Sequence, residues 1–283
     1  MCNCHDHDPQ KANQPAHGMT RRAALRGGFA ATTAAAAATF AGAQGAAAMD
    51  KSPYAEPAEP ALPPSDMKLD LSRAALVVID PQIDFLHPKG VTWGVIGPSV
   101  EEHNTVQNIE TLFKSAKQHD ITTAVSPHYY YPTDHSWKFE GALEKLMHKI
   151  GMFNRAGPLD LDGFEGSGAD WMPQYKQYIE DGKTIVTSPH KVYGNDTNDL
   201  SLQLRKRGVD QVILAGMSAN LCVESHMREL LEDGFEVAVV KDATAAAKVP
   251  EGDGYLAALI NFRYMANAVW TTEEAVAQIT AAA

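Results

Sequence analysis

The chain predicts an α/β domain, a mostly parallel sheet covered by helices on both faces, and three observations carry that prediction. Short apolar runs alternate along residues 67–283 with segments whose apolar side chains fall at helical spacing. The leading run is continuously apolar, as a strand buried on both faces reads. No internal repeat is present, and residues 67–283 suit one domain with a sizeable core.

Taken in order, residues 74–79 (Ala-Ala-Leu-Val-Val-Ile) form the first strand, ending at Asp80. Ile109, Leu112, Phe113 and Ala116 then mark a helix, and residues 121–125 a second strand. Residues 129–177 interrupt the alternation; their Gly, Pro and aromatic content suits either a lid facing substrate or an irregular packed loop. Residues 183–187 predict a third strand, and residues 197–207 a helix with Leu200 and Leu204 on one face. The fourth strand spans 211–215 and ends in Gly216. A helix over about 221–232, a strand at 236–240, a helix around 254–265 and a strand at 268–271 complete the series.

Ahead of this domain, Thr20-Arg21-Arg22-Ala23-Ala24-Leu25-Arg26 is a twin-arginine pattern followed by an alanine- and glycine-rich run. Residues 1–48 therefore predict a signal peptide, cleaved after Ala43 or Ala48, that takes the protein to the periplasm or beyond. The run is too short and too alanine-rich to span a membrane. Cys2, Cys4, His5 and His7 resemble a metal cluster but lie in the segment that is removed. Residues 49–66 carry Pro53, Pro57, Pro60, Pro63 and Pro64 and read as a linker. Cleavage takes away four basic and two acidic residues, so the net charge moves from -11 to -13. Such a surface disfavours nucleic acid and anionic membrane as partners.

Ligands of an open parallel sheet collect at the carboxyl ends of its strands. Asp80 follows the first strand, Ser126 and His128 the second, Lys191 the third and Cys222 the fourth. With residues 1–48 gone Cys222 is the last cysteine, and a thiol with no internal disulfide partner at a strand-to-helix junction invites a chemical role.

These residues stand in motifs. Val77-Val78-Ile79-Asp80-Pro81-Gln82-Ile83-Asp84-Phe85 resembles the opening motif of the isochorismatase-like cysteine hydrolases, His190-Lys191-Val192-Tyr193-Gly194-Asn195-Asp196-Thr197 resembles their lysine motif, and residues 216–224 resemble their nucleophile loop. The resemblance covers the whole of residues 67–283. It implies a doubly wound six-stranded sheet of order 3-2-1-4-5-6, a homo-oligomer, and a catalytic triad of Asp80, Lys191 and Cys222. It also implies an oxyanion hole from the backbone N–H groups of Ser218 and Cys222, with a cis peptide at Met217–Ser218. In such a triad a cation and a helix amino end favour the thiolate, and the aspartate carries the proton to the leaving amine.

Gln82, Phe85, His128, Tyr129 and Trp137 are the expected substrate contacts. The nicotinamidase branch of the family binds a divalent ion through an aspartate two residues before a histidine, and here Ser126 holds the aspartate's position. His128, Asp134 and His135 leave only a broken ligand set, so no cofactor is expected. The reading is a metal-independent hydrolase that cleaves an amide or carbamoyl C–N bond of a small molecule through a thioester. The alternatives are a non-amide, isochorismatase-type hydrolysis on the same scaffold, an idle small-molecule binder, or a redox-responsive thiol protein. The first does not need a cysteine, and the last lacks a resolving cysteine in its own chain. The signal is testable by cell fractionation: replacing Arg21 and Arg22 together by Lys should hold the protein in the cytoplasm, and undiminished export would remove the twin-arginine assignment.

Overall fold

In a computed structural model that describes residues 52–63 and 65–283, the apolar runs assemble into one six-stranded parallel sheet. The predicted signal peptide and the Cys2, Cys4, His5, His7 cluster lie outside the described residues. The strands are β1 (Ala74–Ile79), β2 (Thr122–Ser126), β3 (Ile185–Val186), β4 (Gln211–Met217) and β5 (Glu236–Ala245), then β6 (Lys248–Val249), β7 (Gly252–Asp253) and β8 (Ala268–Trp270). The sheet runs β3-β2-β1-β4-β5-β8 with every neighbouring pair parallel, and β6 and β7 form a separate antiparallel ribbon. This is the expected order 3-2-1-4-5-6. The ribbon only makes the last sheet strand the eighth in the chain.

Strand alternation divides β1 between two cores. Leu76 and Val78 join Ile109, Leu112 and Phe113 of the helix Thr105–Gln118 and Ile279 of the helix Thr272–Ala282. Val77 and Ile79 face Leu204, Met227, Leu230 and Phe262 from the helices Leu200–Lys206, Glu224–Glu232 and Gly254–Met265. All six residues of β1 are buried, which is why the strand reads as an unbroken apolar run. Each large side chain so buried contributes roughly 1.5–3 kcal/mol.

Three differences from the sequence reading have local causes. β3 is two residues long, and its Val186 is 46% exposed at the sheet edge, where one face has no cover. β5 runs five residues past its predicted end, because a register shift between Leu214 and Gly216 lets β4 go on pairing with Thr244 and Ala245. The excursion 129–177 is packed around the helix Ala142–Ile150, with Tyr130, Phe153 and Trp171 buried beneath it. The helices Trp93–Glu102, Ala142–Ile150 and Thr272–Ala282 were not anticipated. Among the described residues no helix is long and apolar enough to cross a membrane.

Part of the predicted linker lies against the domain. The Tyr54 hydroxyl donates to Asp253 at 2.6 Å, and Arg263 donates to the carbonyls of Tyr54 and Ala55 at 2.9 and 3.2 Å.

Where β1 and β4 end, the two backbones converge. Gly216 has φ 115°, a conformation that favours glycine, and a Cβ there would stand 2.0 Å from the carbonyl oxygen of Ile79. Gly216→Ala should therefore cost at least about 3 kcal/mol in chemical denaturation, and an unchanged midpoint would show that the strands can separate without penalty.

Candidate active site

Asp80 leaves β1 through one residue of left-handed backbone. Its N–H still donates to Ser126 of β2 at 3.0 Å, its φ is 46°, and the Gln82 N–H bonds back to its carbonyl at 2.7 Å. The turn lifts a fully buried carboxylate over the sheet edge. Beyond β4, Met217–Ser218 is a cis peptide, and one π-helical turn, Ala219–Val223, leads into the helix Glu224–Glu232 with Cys222 on the turn. Cys222 is the one free cysteine among the described residues and is 3% exposed.

Donor atoms of Asp80, His128, His190 and Cys222 all lie within 4.8 Å of one another. His190 Nε2 meets Asp80 Oδ1 at 2.8 Å, and Asp80 Oδ2, also buried, has no hydrogen-bond partner. Burial pushes the Asp80 carboxyl above its usual range, although His190 and the thiol pull it back. Burial and then the Asp80 charge push the Cys222 thiol well up, while the backbone N–H groups of Ser218 and of Cys222 itself favour the thiolate. The resting site therefore holds a neutral thiol beside a carboxyl group more basic than normal.

Two further groups set this geometry. Gln82 accepts from the His128 N–H at 2.9 Å and donates to the carbonyls of His128 and Ala169 at 3.0 and 2.8 Å, tying the ends of β1 and β2 together. His226 Nδ1 contacts the Cys222 carbonyl at 2.7 Å, and since a carbonyl only accepts, that nitrogen carries the proton. Burial and the neighbouring His190 push His226 well below its usual range, so its Nε2 accepts from the Ser126 hydroxyl at 2.9 Å. Ser126 in turn accepts from Asn198 at 2.8 Å.

Lys191, expected beside the thiol, is not brought there. Its ammonium donates to Asp134 Oδ2 at 2.5 Å and to the Tyr129 carbonyl at 2.8 Å, and stands 3.8 Å from the Tyr131 ring centre. The cause is strand alternation: His190 is in parallel bridge register with His128 and points inward, so the next side chain points away. His190 thus stands where the lysine was expected. It immediately precedes Lys191 in the same motif, and His226 is four residues beyond Cys222, on its face of the helix.

The other expected contacts divide. Ser218 and Phe85 line a cavity of about 620 Å³ that reaches Cys222; Gln82, His128, Tyr129 and Trp137 do not. The Tyr129 ring lies under the Arg155 guanidinium at 4.6 Å, and Trp137 packs on Tyr130 and His148. His128, Asp134 and His135 do not form one metal set, since Asp134 holds Lys191 and His135 faces Asn154 at 3.0 Å. The quartet of Asp80, His128, His190 and Cys222 has the donor types of a soft-cation site. The Asp80–His190 hydrogen bond engages one carboxylate oxygen, and Asp80 Oδ2 and both His128 ring nitrogens have no partner among the described residues.

The Isochorismatase domain family profile matches residues 74–274. The chain is 45% identical over 53 residues, 19% of its length and 28% of the relative's, to the uncharacterized isochorismatase family protein YecD of Escherichia coli O157:H7. Its fold superposes on a cysteine hydrolase from Pseudomonas syringae pv. phaseolicola 1448A with TM-score 0.65 and 20% identity, covering 79% of this chain and all of that one. It also superposes on N-carbamoylsarcosine amidase from Thermoplasma acidophilum with TM-score 0.51 and 18% identity, covering 73% and 98%. At these identities the structural likeness is one of fold.

The placements of His190 and Lys191 predict different responses of the thiol. His190→Ala should shift the pH dependence of Cys222 alkylation, whereas Lys191→Met should leave it unchanged and cost about 1 kcal/mol of stability through its part-exposed pair with Asp134. A shift caused by Lys191→Met and not by His190→Ala would reverse the assignment.

Proposed function

The chain belongs to the isochorismatase family, and from that premise we propose that it is a metal-independent cysteine hydrolase of an amide or carbamoyl C–N bond, acting through a thioester on Cys222. One observation carries the reading: a buried thiol and a carboxylate oxygen with no partner among the described residues belong to one cluster within 4.8 Å, and Cys222 and Ser218 stand where a cavity opens. As the sulfur attacks the substrate carbonyl carbon, the thiol proton passes to Asp80. The N–H groups of Ser218 and Cys222 face the oxygen that gains the negative charge. Collapse breaks the C–N bond, and the departing amine takes the proton back from Asp80. Water then loses a proton to Asp80 and attacks the thioester, and the released sulfur recovers a proton from the same carboxyl. His190 holds Oδ1 throughout and so presents Oδ2. Lys191 has no part in these steps.

The test is ammonia release from a panel of small amides and ureido compounds, with mass detection of an acyl adduct on Cys222. Cys222→Ala should abolish turnover, and equal turnover by both proteins would exclude a covalent route. Asp80→Asn, which preserves shape, should lower kcat by about 10²–10⁴-fold. Because Asp80 accepts the proton only when ionised and its carboxyl is pushed up, kcat/KM should rise with pH through a midpoint above the 3.8 of an ordinary aspartate. Activity should survive exhaustive chelation, and loss restored by a divalent ion would shift the assignment to the quartet as a metal site.

A further inference from the structure

We propose that the substrate is a neutral carboxamide with an apolar acyl body, aliphatic or aryl, bearing no carboxylate or phosphate; this rests on Cys222 being the nucleophile. The cavity of about 620 Å³ that begins at Cys222 and Ser218 has room for a body much larger than acetyl. Its walls come from Phe85, Ile96, Met147, Met152, Leu221 and their neighbours. Apolar cover continues to the rim, where Val91, Val95 and Leu146 are 49%, 52% and 50% exposed.

The charge inventory points the same way. Among the described residues no Lys, Arg or His lines the cavity. The charged groups that line it among the described residues are Glu251 and Asp253, and Asp253 is engaged by the Tyr54 hydroxyl at 2.6 Å and Lys248 at 3.8 Å. The cations near its walls are already paired, Lys248 with Glu102 at 2.8 Å and Lys191 with Asp134 at 2.5 Å. An anionic substrate would lose its hydration in this space without a cation on the described lining to replace it, and would share the cavity with two acids. An apolar acyl group loses nothing on entry and gains from each methylene that leaves water.

The experiment compares ammonia release by the full chain from acetamide, propanamide, butanamide and pentanamide, and from an isosteric pair, 4-methylpentanamide and succinamate. The pair differs only in an isopropyl group replaced by a carboxylate of the same shape. kcat/KM should rise roughly threefold to fourfold per added methylene. Succinamate should fall at least about a hundredfold below 4-methylpentanamide. A flat alkyl series, or succinamate equal to or better than its partner, would overturn the substrate class while leaving the cysteine hydrolase reading intact. Calorimetric binding of the same pair to Cys222→Ala separates the two claims. Preference for 4-methylpentanamide without turnover by the unsubstituted protein would keep the ligand class and overturn the hydrolase reading, whereas preference for succinamate would overturn the ligand class whatever the turnover.

Discussion

The hydrogen bond between His190 Nε2 and Asp80 Oδ1, sealed from water on both sides, is the contact on which the site depends. A carboxylate with no solvent and no donor would neutralise or force the strand ends apart, and removing one member of such a buried pair typically costs about 3–5 kcal/mol. The bond also decides which oxygen is free. With Oδ1 held, Oδ2 is the acceptor left free in the cluster with Cys222. His190 reaches Asp80 only because the segment after β3 continues as a parallel bridge beside His128, so the edge strand, though two residues long, delivers the partner of the central one.

Much of the remaining polar structure holds backbone in place and performs no chemistry. Gln82 closes the gap between the ends of β1 and β2 with two hydrogen bonds to the His128 backbone and ties in Ala169 with a third. The series Asn198, Ser126, His226 and the Cys222 carbonyl runs from the loop before the helix Leu200–Lys206 to the turn that carries Cys222. It explains why a serine suits position 126: a hydroxyl can donate to His226 while accepting from Asn198, and an ionised carboxylate can only accept. A carboxylate at that position would leave the neutral His226 facing a second acceptor.

The central strands were legible because burial on both faces removes the polar alternation that would otherwise blur them, and Cys222 and Asp80 were legible because each ends such a run. What stayed hidden depends on direction, which a motif does not encode. His190 and Lys191 are adjacent and both lie in the lysine-like motif, yet a period of two sends one to Asp80 and the other to Asp134. Gln82 and His128 sit at the right strand ends, but neither lines the cavity: the Gln82 amide is spent on backbone and the His128 ring packs on Tyr130, Phe153 and His190. The helix Ala142–Ile150, which supplies Leu143, Leu146, Met147 and Ile150 to the cavity, was hidden by its flanking Gly and aromatic residues. Cavity walls come from such excursions, so the strand ends were legible in the sequence where the cavity beside them was not.

The dryness that shapes the proposed specificity also controls the thiol. Oxidation, like acyl transfer, proceeds through the thiolate, and here burial and the Asp80 charge keep the resting sulfur protonated. A small oxidant finds a neutral thiol, 3% exposed, under an apolar cavity. In the proposed reaction a bound carbonyl changes that balance, because the proton leaves for Asp80 only as the carbon–sulfur bond forms and the developing charge moves to an oxygen facing two amides. Activation is then confined to occupied sites. An adjacent lysine would stabilise the thiolate in the empty enzyme as well, and directing Lys191 to Asp134 removes that cation while His190 keeps the carboxylate in place.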